Sequence, residues 1–265
     1  MPLGLGNNLS RTGIITPGIV TDNLVLKHNY NAGSVAPVSD GAVYFDGGGD
    51  YIDTGYTFQT EIRGSYSVGM WLKPLDGGST DAVMGARKDA GGGTYNNWWY
   101  VGYNATAAGD SIVYHKSNGT SDIGYSDSPQ FSATKTDWMH IVWSVTKSAV
   151  GGFKTYVNGA LVGTANSDDV SSSDWEAYTS DVDMFLGGYS ADGSLYSVYK
   201  GYMCNAFFYS AAIEQPQIKS IMNKNYAGLT SSEKTNLVSW WNLDEGTGTT
   251  ATDSHGSNDG SATFT

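Results

Sequence analysis

Aromatic rings stack on the apolar faces of pyranose sugars, while Asn and Asp bond to the hydroxyls. The run Asn96-Asn97-Trp98-Trp99-Tyr100, with Tyr103 just beyond it, holds both kinds of group. Trp175 and Tyr178 repeat the combination in a second polar stretch. The expected glycan-binding set is therefore Trp98, Trp99, Tyr100, Tyr103 and Trp175. In a strand, Trp98 and Tyr100 face one way and Trp99 the other. One face then goes to the core and the other stays available. Packing is the usual fate of such aromatics, so most of the set is expected to serve structure.

A second chemistry is cation binding. Asp46, Asp50 and Asp53 crowd the turn Asp46-Gly47-Gly48-Gly49-Asp50. Ca²⁺ takes six to eight hard oxygen ligands, which carboxylates and glycine carbonyls can supply. Ordinary turn chemistry explains the same residues. Asp244, Asp253 and Asp259 form an alternative acidic cluster. Covalent and acid–base chemistry is poorly represented. The nearest carboxylate pair on one strand is Asp181-Val182-Asp183, with no Glu beside it. The four histidines are scattered without metal-ligand spacing. Cys204 is the single cysteine, which excludes an intrachain disulfide. Its setting, Tyr202-Met203-Cys204-Asn205-Ala206-Phe207-Phe208, predicts a buried, inert thiol. No catalytic residue is expected.

The elements that must position these residues are strands. The chain has 265 residues, 35 of them Gly and 18 Tyr, and 15% are charged. That length fits one large all-β domain with extra segments. The net charge of −12 excludes the basic footprint that nucleic acid requires. The opening Met-Pro-Leu-Gly-Leu-Gly has no basic start and no long apolar run, so neither a signal peptide nor a membrane span is expected.

Residues 1–22 read as an anchoring arm. Ile14, Ile15, Ile19 and Val20 are apolar among Gly and Pro, and such a segment has no core of its own. Residues 23–243 read as a β-sandwich. Val68, Met70 and Leu72 alternate with Ser67, Gly69 and Trp71. Met139, Ile141, Trp143 and Val145 alternate with His140, Val142 and Ser144. Both patterns predict half-buried antiparallel strands. Asn158-Gly159 between two such strands predicts a type I′ hairpin. Pro216 starts a short helix with Ile218, Ile221 and Met222 on one face. Thr230-Ser231-Ser232-Glu233 has capping-box spacing, which predicts a turn of helix near 231–236. A last strand at 237–243 precedes a Gly/Ser/Thr/Asp-rich tail, 244–265.

Several blocks, in order, resemble a laminin G-like, concanavalin A-like domain. They are Phe45-Asp46-Gly47-Gly48-Gly49-Asp50-Tyr51-Ile52-Asp53, Ser67-Val68-Gly69-Met70-Trp71-Leu72-Lys73-Pro74, Trp138-Met139-His140-Ile141-Val142-Trp143, Thr155-Tyr156-Val157-Asn158-Gly159, and 201–226. The resemblance implies an all-β, two-sheet antiparallel jelly-roll sandwich with short helices near the C-terminus. Relatives often carry a Ca²⁺ near the sandwich rim, so the resemblance also implies a cation there. Relatives that hydrolyse glucans carry a Glu-x-Asp-x-Glu or Glu-x-Asp-x-x-Glu motif, which is absent here and disfavours a glycoside hydrolase. The block Leu237-Val238-Ser239-Trp240-Trp241-Asn242-Leu243-Asp244-Glu245-Gly246 resembles one that often opens such domains, yet stands at the other end. Permutation within one sandwich is the simplest account; a second module cut short and exchange with a neighbouring subunit are the others.

Residues 1–30 resemble the opening of structural proteins of marine tailed phages. This implies a non-enzymatic virion surface protein, of capsid decoration or tail-fibre type. Its partners would be other virion or assembly subunits, a homo-oligomer, and a glycan. The alternative is a secreted or surface carbohydrate-binding module.

Overall fold

A computed structural model describes residues 36–75, 80–89, 95–106, 109–117, 122–127, 137–165, 182–191 and 194–265. Residues Pro37–Thr265 form one unit. The other, Met1–Ala36, holds the expected arm, so Ile14, Ile15, Ile19 and Val20 lie outside the described residues.

Two sheets face each other. Among the described residues the first has seven strands: β1 (Val43–Asp46), β3 (Tyr66–Pro74), β8 (Met139–Val145), β9 (Phe153–Val157), β10 (Ala160–Ala165), β14 (Lys200–Tyr209) and β15 (Leu237–Trp241). Their order is β1-β14-β3-β8-β9-β10, and β15 also pairs with β14. The second has ten: β2 (Tyr51–Asp53), β4 (Thr80–Asp89), β5 (Tyr95–Thr106), β6 (Gly109–Ser117), β7 (Asp122–Asp127), β11 (Phe185–Leu186), β12 (Tyr189–Ala191), β13 (Ser194–Tyr196), β16 (Thr250–Ala251) and β17 (Gly260–Thr263). Pairing among the described strands is antiparallel except between β12 and β4. This is the all-β sandwich that period-two patterning predicts, with a short helix α1 (Gln59–Ile62) and a second, α2 (Gln215–Ile221).

The core lies between the sheets. From the first come Val68, Met70, Leu72, Met139, Ile141, Trp143 and Val145. From the second come Ile52, Met84, Ala86, Trp99, Val101, Tyr103 and Leu186. Trp99 is fully buried, and its indole Nε1 donates to the Tyr66 hydroxyl at 2.8 Å. The hairpin turn is as expected, with φ of 50° at Asn158 and 74° at Gly159.

The expectation of half-buried strands needs correction. Every residue of β8 is buried, and all of β3 except Lys73. The outer face of the first sheet carries its own cluster: Val142, Tyr156, Phe207, Tyr209 and Trp240, closed over by Ile213, Ile218, Ile221 and Leu229. The serines of the alternation pin the cover down. Ser67 Oγ donates to the Ala211 carbonyl and Ser144 Oγ to the Ile213 carbonyl, both at 2.9 Å. The Ile213 amide in turn donates to Ser67 Oγ. Residues 231–236 form turns, not a helix, although the capping box is made. The Thr230 amide donates to Glu233 Oε2 at 2.8 Å, and the Glu233 amide to Thr230 Oγ1 at 3.3 Å.

The tail also needs correction. Residues 244–265 contain β16 and β17, and β17 pairs with β2 in the second sheet. Strand β15 joins β14 of its own chain. The C-terminal block thus completes its own sandwich, in keeping with permutation. Asp253 organises the return. Its Oδ1 accepts from the amides of Trp240 and His255, and its Oδ2 from that of Asn258. Asp259 Oδ1 then accepts from the Asp253 amide. Asp253 and Asp259 of the alternative acidic cluster are therefore engaged in folding a loop.

Two predictions follow from this packing. Trp99→Ala should cost roughly 3–5 kcal/mol, the range for emptying a large core site; urea titration measures it, and stability equal to wild type would reject the core assignment. The second concerns acid. His140 is buried between Trp71 and Phe207, at ring-centre distances of 5.2 and 6.0 Å, and burial lowers its pKa to about 3. The unfolded chain takes up this proton near pH 6.5. Its contribution is intact above that pH and falls by about 1.4 kcal/mol per unit as pH drops toward 3. Burial alone would raise the Glu233 carboxyl, but Lys224, Ser220 and Thr230 outweigh it and hold it at about 2. Its contribution is lost as pH falls from 4.5 toward 2. Stability measured from pH 7 to 4 should decline in wild type and decline less in His140→Phe.

Candidate functional site

The central strands of the first sheet, β3 and β8, are covered on both sides, and the outer face of the second sheet offers side chains that can meet a ligand. Strand alternation decides which do. Trp99, Val101 and Tyr103 of β5 point inward. Tyr100 points outward, opposite Gly85 of β4. Gly85 in turn lies opposite Phe185 of β11. On β12, Tyr189 and Ala191 belong to an outer cluster with Ala82, and Tyr100 packs against it. Tyr196 of β13 pairs with Tyr189.

These positions build a ladder of rings. Tyr100 stacks on Tyr189 at 5.6 Å between ring centres, with 21° between planes. Tyr189 stacks on Tyr196 at 5.8 Å and 13°. The inner ring, Tyr189, is 8% exposed, while Tyr196 at the end is 46% exposed. Tyr196 therefore presents a ring to solvent that is already oriented by its neighbours. Arg87 of β4 joins them, and its guanidinium donates to the Tyr189 hydroxyl at 3.3 Å. A second pair, Tyr51 on Phe185 at 4.5 Å and 7°, lies at the β2–β11 contact.

Gly85 makes the ladder possible. A Cβ there would fall 2.5 Å from the Tyr100 Cβ and 2.8 Å from that of Tyr189. Both side chains close over the gap that its missing side chain leaves.

The expected aromatic set is thus divided. Tyr100 is on the open face. Trp99 and Tyr103 are 0% and 1% exposed, and a ring closed off from solvent cannot receive a sugar, so both leave the set. The backbone register sets Trp98 opposite Arg87; its side chain lies outside the described residues, as does Trp175. Tyr189 and Tyr196 were not among the expected residues. The signal that could have found them is the spacing Tyr189, Leu195-Tyr196 around a Gly-containing turn, read as a hairpin.

The cation expectation is corrected. Asp50 is buried; its Oδ2 accepts from the Asp46 amide and its Oδ1 from the Thr265 amide. Asp46 Oδ1 accepts from the Gly48 amide and Asp53 Oδ1 from that of Gly55. Each carboxylate is engaged by backbone amides, those of Asp46 and Asp53 within their own turns and that of Asp50 also by the distant Thr265. Among the described residues no three acidic, His or Cys side chains gather as a metal site. Asp183 is held above the usual carboxylate range by burial first and by the charge of Asp53 second. Asp181 lies outside the described residues. Burial pushes the Cys204 thiol up to about 12, leaving it no nucleophilic character at neutral pH. A cavity of about 290 Å³, lined by Val43, Tyr44, Leu243, Glu245 and Phe264 among others, opens between β1 and the β16–β17 hairpin. It shares no residue with the tyrosine ladder.

Residues 46–219 match the Laminin_G_3 model, which describes the concanavalin A-like lectin/glucanases superfamily. No curated protein sequence matches. Among solved structures, the chain is similar to a Bacteroides ovatus ATCC 8483 protein provisionally described as carbohydrate binding, with 17% identity and a TM-score of 0.55. The likeness covers 84% of this chain and 58% of that one, so this chain spans little more than half that protein's length. It is similar to the CBM40 of a Ruminococcus gnavus IT-sialidase bound to α2,3-sialyllactose, with 11% identity, a TM-score of 0.55, and 69% and 97% of the two chains covered. It is also similar to a variant of NanB sialidase from Streptococcus pneumoniae, at 16% identity and a TM-score of 0.53, over 72% of this chain and 29% of that enzyme. At these identities the likenesses speak for the fold.

Gly85→Ala tests the ladder directly. The added methyl should cost about 1–3 kcal/mol through overpacking and weaken the near-ultraviolet circular dichroism of the tyrosines. An unchanged urea midpoint and spectrum would show that the two rings do not close over Gly85.

Proposed function

This chain belongs to the concanavalin A-like lectin/glucanases superfamily, and on that premise we propose that it is a non-catalytic glycan-binding module. The ligand lies on the outer face of the second sheet. The observation that carries this reading is the Tyr100–Tyr189–Tyr196 ladder with its exposed end. A stacked ring loses little further freedom when a pyranose settles on it, so the stacking gain is not spent on ordering. The phenol hydroxyls add donors and acceptors beside the rings. The reading is supported by similar folds in a protein provisionally described as carbohydrate binding and in a CBM40 bound to sialyllactose.

Hydrolysis is disfavoured by the chemistry of the face. It needs a proton donor and a second carboxylate flanking the scissile bond. The Glu-x-Asp-x-Glu and Glu-x-Asp-x-x-Glu spacings of hydrolytic relatives are absent from the sequence, and Asp53 is engaged by a backbone amide. The expectation of a virion component rests on the arm, which lies outside the described residues. Glycan binding therefore replaces it as the main reading. Such a module acts where polysaccharide is displayed, at an extracellular or virion surface.

Binding of the full chain to a panel of neutral and acidic oligosaccharides tests the proposal, and silence across the panel would sink it. Tyr196→Ala should weaken binding roughly three- to tenfold, the equivalent of about 0.5–1.5 kcal/mol for one aromatic contact. Its unfolding midpoint should stay near wild type, because surface changes of this kind rarely matter to stability.

A further inference from the structure

Arg87 is held in place on the same face. Its guanidinium carbon lies 5.8 Å from the Tyr189 ring centre and 5.5 Å from that of Tyr196. One guanidinium nitrogen donates to the Tyr189 hydroxyl. The backbone sets its place: Arg87 is in register with Ala191 on one side and with Trp98 on the other. Two ring faces attract the cation, and the hydrogen bond sets its rotation.

Two consequences follow from charge and order. The chain carries 26 acidic and 14 basic residues, so its overall field repels an anion. An acidic ligand would therefore need a local, fixed cation. A long Arg side chain ordinarily loses rotamer freedom on binding. Here much of that freedom is already lost in the folded protein. The planar fork of a guanidinium matches the two oxygens of a carboxylate or a sulfate, which an ammonium cannot do.

We propose that Arg87 makes this face selective for acidic saccharides, receiving the carboxylate or sulfate of a sugar whose ring stacks on Tyr196. The inference rests on the glycan-binding reading above. Selectivity comes from one group: the tyrosines hold any suitable pyranose, and the guanidinium distinguishes charged from neutral members.

Calorimetric titration of the full chain with matched pairs tests this. Oligogalacturonate and its methyl ester share one sugar backbone and differ at the carboxyl group, ionised in one and capped by methyl in the other. A sulfated galactan oligosaccharide and its desulfated form do the same for sulfate. At least one acidic member should bind about tenfold or more tighter than its neutral partner, and the pair that shows it identifies the anion. In R87Q that ratio should fall to about one, whatever becomes of neutral-sugar affinity. In R87K it should fall to under about a third of the wild-type ratio, because a point charge replaces the fork. Unfolding curves taken alongside show whether R87Q folds; if it does not, R87K carries the test. Ratios near one in wild type, or ratios unchanged in the folded variant, would overturn the role of Arg87 while leaving glycan binding standing. Binding to neither member of any pair would overturn both.

Discussion

Strand β14 is paired along one side by β3 and along the other by two segments far apart in the chain. Its residues 200–203 meet β1, and its residues 206–209 meet β15. The change of partner occurs at Asn205, a buried residue with a φ of 48°. Its amide donates to the Asn242 carbonyl, and its side chain donates to that of Val38. Asn is one of the few side chains that tolerate this conformation while bonding locally. One strand edge is thus completed by two halves, so no long row of unpaired amides is left beside the core.

The rest of the sandwich depends on that arrangement. Because β15 runs along β14, the residues before it, 210–236, must pass over the outer face of the first sheet. Their apolar side chains and the Ser67 and Ser144 bonds seal it. Because β15 ends beside β1, the residues after it reach the second sheet and add β16 and β17 next to β2. The middle of the first sheet, β3 and β8, is consequently closed on both sides. The second keeps an outer face on which Tyr100, Tyr189, Tyr196 and Arg87 are gathered.

Those four residues come from β4, β5, β12 and β13, and what unites them is a gap. Gly85 lets two tyrosines approach across β4, and each ring then orients the next. The arrangement explains why Trp99, the more suggestive residue in the sequence, is not the one that meets solvent. It sits one position from Tyr100 in a strand, and its indole bonds to Tyr66 in the core. A large apolar ring gains most by full burial. The more amphipathic tyrosines, with a hydroxyl to keep wet, remain for the surface.

Local patterning was enough for much of this. The alternation of Val68, Met70 and Leu72, the Asn158-Gly159 turn, the Pro216 helix and the Thr230–Glu233 box are each read within a few residues, because they follow from backbone geometry and neighbouring side chains. The inward–outward split of Trp99 and Tyr100 follows from the same period of two, but which of them faces the core does not. Period two says that neighbours part, and only the opposite sheet says which side is the interior. The same holds for β3 and β8, whose second face is polar enough to read as exposed and is buried by a segment from far along the chain. It holds for Asp46, Asp50 and Asp53, whose spacing suits a cation but whose oxygens are claimed by nearby amides. It holds most of all for the ladder, since no short-range rule brings residue 100 against residues 189 and 196. Such contacts are selected by the pairing of strands distant in sequence, where burial and register, not local preference, supply the free energy.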